Sequence, residues 1–261
     1  MIRSPLLASL TLCLTLGALP CQAALDDAEA INRAGQQRML SQRVAKSYLM
    51  IGTETRAELA MTQLDSSVAS VEENSALLGD YAPNAAIRGA VDEASGTWLK
   101  FRERALGKPD KESSLEVLRL AERFLAQSES LVQRIEQHNG TPAGHLVNRS
   151  GRLRMLSQRI AMLYLALSWN LPEPGLEREF VTAVEEFDQG LAELRGAKQN
   201  SATINQRLEQ IGNQWRFARA GFQLAEQSRY VPTVIVTTSD SLLQKLEALT
   251  ADYATLAQAK R

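Results

Sequence analysis

The sequence has two cysteines, Cys13 and Cys21, and two histidines, His138 and His145, in 261 residues. Both cysteines fall in a stretch that reads as an export leader. Arg3 supplies its positive start, Leu6–Leu19 its apolar centre, and Cys21-Gln22-Ala23 a small-residue cleavage site. Cleavage near Ala23 leaves no thiol, which excludes disulfides, cysteine–metal sites and thiol nucleophiles. Pro20, directly before Cys21, argues against a lipid anchor there. The two histidines sit seven residues apart at a Gly/Pro-containing linker with no acid cluster beside them, a poor metal site. There is no phosphate-cradling glycine loop and no nucleophile–base pair. No cofactor, no metal and no catalytic activity are therefore expected. Charge of either sign is also not in surplus, with 29 Lys plus Arg against 30 Asp plus Glu. That argues against general binding to nucleic acid or to an anionic membrane surface. Beyond the leader, no apolar run reaches spanning length. Val231–Val236 is short and contains Pro232. The mature protein is expected to be exported and not integral to the membrane.

What the chain does have is Ala, Leu, Gln, Glu and Arg, with only 5% aromatics, a helical composition. Apolar residues recur at helical spacing, as in Leu118-Phe124-Leu125-Leu131-Ile135. Glycine and proline break the pattern near Gly52, Gly79–Pro83, Gly107–Pro109, Gly140–Gly144, Pro172–Gly175, Asn200-Ser201 and Tyr230–Pro232, which predicts eight helices. The β-branched run Thr233–Thr238 alone suggests a strand. Its place in the pattern, with Pro232 at a first helical position, makes it a helix.

The chain also repeats itself. N-R-x-G-x-x-R-M-L-S-Q-R-x-A occurs at Asn32–Ala45 and again at Asn148–Ala161, and twelve of the eighteen positions from Asn32 to Leu49 recur 116 residues later. Ser128–Glu136 resembles Ser239–Glu247, and Trp98 and Trp215 fall at similar places. The fold expected is all-α, two tandem up-down-up-down four-helix bundles related by duplication. Residues 1–23 are the signal peptide, 24–139 the first bundle, 140–144 a linker and 145–261 the second bundle. The short linker favours bundles side by side with the motif helices parallel. End-to-end stacking is the alternative.

Each motif copy is locally basic. Ile31–Thr53 and Gln137–Pro172 contain no Asp or Glu. On a helix, Gly35, Arg38, Met39 and Gln42 share a stripe with Arg43 at its edge, and Gly151, Arg154, Met155, Gln158 and Arg159 repeat it. A mid-helix glycine costs about 1 kcal/mol relative to alanine, so close approach by a backbone or a ligand is the expected reason for it. The arginine one turn along offers a planar fork of donors suited to a small planar oxyanion. Two such arginines brought together would repel, and a bound anion would cancel that repulsion. Against this, helix arginines commonly pair with acids of neighbouring helices. Gln42 and Gln158 are better read as helix bridges, Met39 and Met155 as core, Ser41 and Ser157 as bonding back to their own helix, and Asn32 and Asn148 as turn residues at the helix start.

At these residues the sequence resembles the PilJ-type N-terminal domain of type IV pilus methyl-accepting chemotaxis transducers. It also resembles the periplasmic input domain of NarX/NarQ-type nitrate/nitrite sensor kinases, where the stretch is the P-box. The resemblance is specific over about 20 residues in each half. In those sensors two copies of the box meet across a homodimer and bind one nitrate. That implies anion contacts from Gly35, Arg38, Gly151 and Arg154, with Arg43, Arg159, Gln42 and Gln158 in support. It also implies a periplasmic location, and a sensor-type domain for nitrate or nitrite without its own output module. The membrane sensor, chemoreceptor or transporter that hears it would be a separate protein. The alternative is a helical docking module for a chemosensory, pilus or transport component, with no small ligand.

Overall fold

The structure is a computed structural model and describes residues 25–139, 144–226 and 229–258. The expected signal peptide, with both cysteines, and residues 140–143 of the expected linker lie outside the described residues. Eight helices follow in order among those described: α1 (Asp27–Gly52), α2 (Ala57–Tyr81), α3 (Ala85–Ala105), α4 (Lys111–Asn139), α5 (Gly144–Ser168), α6 (Leu176–Arg195), α7 (Ala202–Glu226) and α8 (Pro232–Gln258). The chain is all-α, in two helical bundles of four. Gly144, expected in the linker, is already the first residue of α5.

Local chemistry sets the helix starts. Asp26, Asn84 and Asp110 each accept the backbone N–H three residues ahead with a side-chain oxygen, at 2.8, 2.9 and 2.8 Å. This satisfies a donor that the first turn leaves free. The exits from α1 and α5 match as well. Glu54 and Asn170 both take left-handed φ, at 55° and 53°. Thr233–Thr238 is helical, because Ile235, Val236 and Thr238 are buried in the bundle and packing overrides β-branched preference.

The motif helices are central. α1 packs on α2, α4 and α5, and α5 packs on α1, α6 and α8, while α3 lies on α4 and α7 on α8. Burial on all sides explains why α1 and α5 lack a clear polar face, with Arg38 to Met50 buried at every position except Arg43. α1 and α5 run parallel and side by side. Arg154 reaches Asn32 near one end and Trp169 covers Gly52 at the other. One continuous core joins both halves, from Leu40, Val44 and Leu49 through Leu156, Ile160 and Leu165 to Leu246. A smaller core of Ile31, Leu78, Ile87, Val91, Leu131 and Ile135 closes the first bundle under the start of α1.

Equivalent tyrosines tie each bundle shut. Tyr48 donates to the Lys108 carbonyl at 3.2 Å, and Tyr164 accepts from the Val231 N–H at 2.8 Å. Each thereby holds the loop ahead of the fourth helix of its half.

Candidate functional site

The two motif glycines face each other's arginine. A Cβ added at Gly35 would stand 3.3 Å from Arg38 Nη2 and 3.8 Å from Arg154 Nη2. At Gly151 it would stand 3.4 Å from Arg154 Nη2 and 3.5 Å from Arg38 Nη2. The bare faces of both helices thus accommodate two guanidiniums in one small volume, which is the close approach that a mid-helix glycine permits. Arg38 and Arg154 are 1% and 3% exposed.

Each guanidinium crosses to the other motif. Arg38 Nη2 donates to Asn148 Oδ1 at 2.7 Å, and Arg154 Nη2 donates to Asn32 Oδ1 at 3.2 Å. The asparagines were expected to be turn residues at the helix start, and they are not. They lie inside α1 and α5 as reciprocal partners of the arginines. Their recurrence six residues before each arginine was the sequence signal for this.

In direct ion-pair contact the site has two guanidiniums and one carboxylate. Burial, and then the charge of Arg38, bring the Arg154 pKa down to about 10, while Glu247 and Glu29 pull the other way. No described carboxylate forms an ion pair with Arg154. Arg38 does have one: its Nη1 meets Glu129 Oε2 of α4 at 2.7 Å. Burial raises the Glu129 carboxyl, but Arg38 and Arg152 outweigh that and hold it below the usual carboxylate range. The Nε atoms of both Arg38 and Arg154 are buried without a hydrogen-bond partner.

The other expected residues act as packing and pairing. Ser41 and Ser157 donate to the carbonyls of Arg38 and Arg154, each at 2.7 Å. Gln42 donates to Ser41 at 3.2 Å and to Glu122 at 3.4 Å, and Gln158 to the Ser239 carbonyl at 3.3 Å, so both bridge helices. Met39 and Met155 are core.

The matching family model, described as the type IV pili methyl-accepting chemotaxis transducer N-terminal domain (PilJ), covers residues 21–134 and again 139–251. The chain belongs to the PilJ family. No curated protein and no solved structure matches it.

The two PilJ copies differ in how they neutralise their cations, and here the acid-free reading of the motif needs correcting. Within Ile31–Thr53 and Gln137–Pro172 no acid is present, but Glu29, one turn before Arg33 on α1, and helices remote in sequence supply them. Arg33 pairs with Glu29 and Glu73, Arg149 with Glu193, Arg152 with Glu186 and Glu129, and Arg159 with Glu122 and Glu179. Arg43, the counterpart of Arg159, has no described acid partner, and its Nε is buried and unpartnered. In the repeat register, Thr233 stands where Glu122 does and Gln63 where Glu179 does, so neither acid recurs beside Arg43.

Lys46, unremarked as a site residue, is fully buried. Its Nζ meets Asp240 Oδ1 of α8 at 2.5 Å, and Gln63 donates to the other oxygen at 2.7 Å. Burial, only partly offset by Asp240, lowers its pKa to about 8. His145 faces Glu193 at 2.9 Å, and no metal-binding cluster occurs among the described residues. No described helix is long and apolar enough to cross a membrane.

Proposed function

We propose that this tandem PilJ protein is a periplasmic sensory domain that binds one small oxyanion, nitrate or nitrite, between α1 and α5. Arg38 and Arg154 are the principal donors, and the bare Cα faces of Gly35 and Gly151 give the guanidiniums room. The observation that carries this is the burial of two like charges together with one ion-paired carboxylate between them, each with an unused Nε. A buried charge without a matching partner is costly. An anion accepting charge-assisted hydrogen bonds from both forks would relieve that cost. The halves 24–139 and 145–261 each supply half of the site, a pseudo-symmetric version of what the NarX/NarQ-type sensors build from two chains. Arg43, Arg159, Gln42 and Gln158 support the motif helices and do not contact the anion.

The test is calorimetric titration of the purified chain with nitrate and nitrite, with melting temperature read in parallel. Anion at about a hundred times its Kd should stabilise by about 2.7 kcal/mol. For a chain of this size that is a rise of roughly 5–10 °C. Arg38→Lys and Arg154→Lys keep charge but lose the fork, and each should abolish the response while circular dichroism stays helical. Absence of heat and of any melting shift at millimolar anion refutes the reading. A partner captured equally by the wild type and the double Lys variant, with no anion response, would favour the docking module.

A further inference from the structure

We infer that Glu129 is the charge-selecting residue of this site, a built-in counter-charge that restricts it to singly charged oxyanions. The inference rests on the anion-binding reading above. Among described residues Glu129 is the one carboxylate in ion-pair contact with either central guanidinium, at 2.7 Å from Arg38. It also lies 3.5 Å from Arg152, which is already matched by Glu186. Glu129 lines a groove of 340 Å³ between α4, α5 and α6, together with Arg152, Met155 and Glu186. Arg38 does not line that groove, so Glu129 stands between it and the guanidinium.

The charge count follows directly. Among groups in ion-pair contact, two guanidiniums and one carboxylate leave one positive charge. A monoanion brings the centre to neutrality. A dianion would leave an unmatched negative charge in a place too buried for water to screen it. The next charges outward push the same way. Glu136 lies near Arg38, and Glu29 and Glu247 near Arg154. Arg33 is occupied by Glu29 and Glu73. No spare described cation pairs into this centre to receive a second negative charge.

The donors available set no further limit. The cross-bonded asparagines use one Nη of each guanidinium and Glu129 the other Nη of Arg38. Three of the ten guanidinium N–H donors are used and seven remain, including both Nε–H groups, so an oxyanion can be chelated and charge rather than donor number does the selecting. By charge, nitrate, nitrite, formate and bicarbonate suit the site, and sulfate and hydrogenphosphate do not.

The experiment is titration of the full chain, and of Glu129→Gln and Glu129→Asp, with sodium nitrate and with sodium sulfate at matched ionic strength and pH 7. The wild type should prefer nitrate by at least about tenfold. Glu129→Gln, isosteric and neutral, should shrink that preference about tenfold or more, mainly by gaining sulfate affinity. Glu129→Asp, with its charge restored, should keep the preference. If the wild type binds nitrate and folded Glu129→Gln keeps the wild-type nitrate-to-sulfate ratio, the inference fails and the anion site stands. If the wild type binds sulfate as tightly as nitrate, the inference fails without any variant. If the wild type and Glu129→Gln bind neither ion, both fall together. A wild type that binds neither, with a Glu129→Gln that takes sulfate, would refute the wild-type ligand and uphold the role of Glu129.

Discussion

Replacing Arg154 by methionine should make the protein more stable, whereas the same change at Arg38 should make it less so. The two positions are counterparts in the repeat, so only their surroundings separate them. Arg154 is held charged against a pKa drop from 12.5 to about 10, caused first by burial and then by Arg38. At about 1.4 kcal/mol per unit, the charged form carries a penalty on the order of 3 kcal/mol. Its one compensating contact is the 3.2 Å bond to Asn32, worth about 1.5 kcal/mol. Methionine fills a similar volume without charge, and substitutions of this kind are often stabilising. The expected net gain is about 1–2 kcal/mol, a rise of roughly 2–8 °C. Arg38→Met instead strands Glu129, half-buried, with only Arg152 at 3.5 Å, and removes the 2.7 Å bond to Asn148. A loss of about 2–4 kcal/mol follows. Thermal and urea unfolding followed by circular dichroism, in buffer free of oxyanions at pH 7, would measure both. Nitrate should reverse the order for Arg154, stabilising the wild type and leaving the variant unmoved. If Arg154→Met falls in melting temperature as far as Arg38→Met, the guanidinium is structural and the reasoning is wrong.

Lys46→Met, which installs the residue found at Met162, should remove an alkaline pH dependence. The Lys46 pKa is lowered to about 8 in the folded state from 10.5 unfolded. Between those values the unfolded chain holds the extra proton, so wild-type stability gains from this group as pH rises from 8 to 10.5 and loses as pH falls back through 8, by about 3 kcal/mol in all. Urea midpoints at pH 7.5 and 10 would read the difference, and a variant with the wild-type slope would refute the assignment. Asn32→Ala and Asn148→Ala should each weaken the nitrate response severalfold in calorimetry, because each frees a guanidinium to turn. An unchanged affinity in both would show that the cross-bonds do not orient the arginines. Gly52→Ala should destabilise by about 1–3 kcal/mol in urea unfolding despite alanine's better helix propensity. Its Cβ would stand 2.4 Å from the Trp169 ring and 3.0 Å from Pro109. A gain in stability would mean that the indole moves aside freely.

The helices and their order were legible in the sequence because their signals are local. Breaks such as Gly52 and Pro232 and the repeated motif all lie within a few residues of what they govern. The parallel placement of α1 and α5 followed from the short connection between halves. The Gly/Arg pairing was legible too, since glycine mid-helix demands a close neighbour and both copies carry one. The counter-charges were not. Glu129 is 91 residues from Arg38, Asp240 is 194 from Lys46, and Glu122 is 37 from Arg159. An acid-free stretch of chain says nothing about acids delivered by other helices. Asn32 and Asn148 were misjudged for a related reason. Asparagine near a helix start usually serves its own backbone, and here the partner lies on the other half of the molecule.

Duplication within one chain lets a site lose its symmetry, and the register of the fourth helices identifies the residues responsible. Because Ser128–Glu136 matches Ser239–Glu247, Asp240 is the counterpart of Glu129. Glu129 turns to Arg38. Asp240, shorter by a methylene, is held instead by Lys46 and Gln63. The counterparts of those two are Met162 and Glu179, and neither can hold Glu129, the first being uncharged and the second itself an acid paired with Arg159. The lysine therefore engages the acid that would otherwise be the candidate partner for Arg154. One arginine is left neutralised and the other not. A homodimer of single-motif chains cannot do this, since any change at one half-site appears at both. A tandem chain can keep one arginine paired for stability and leave its twin without a carboxylate in ion-pair contact among the described residues.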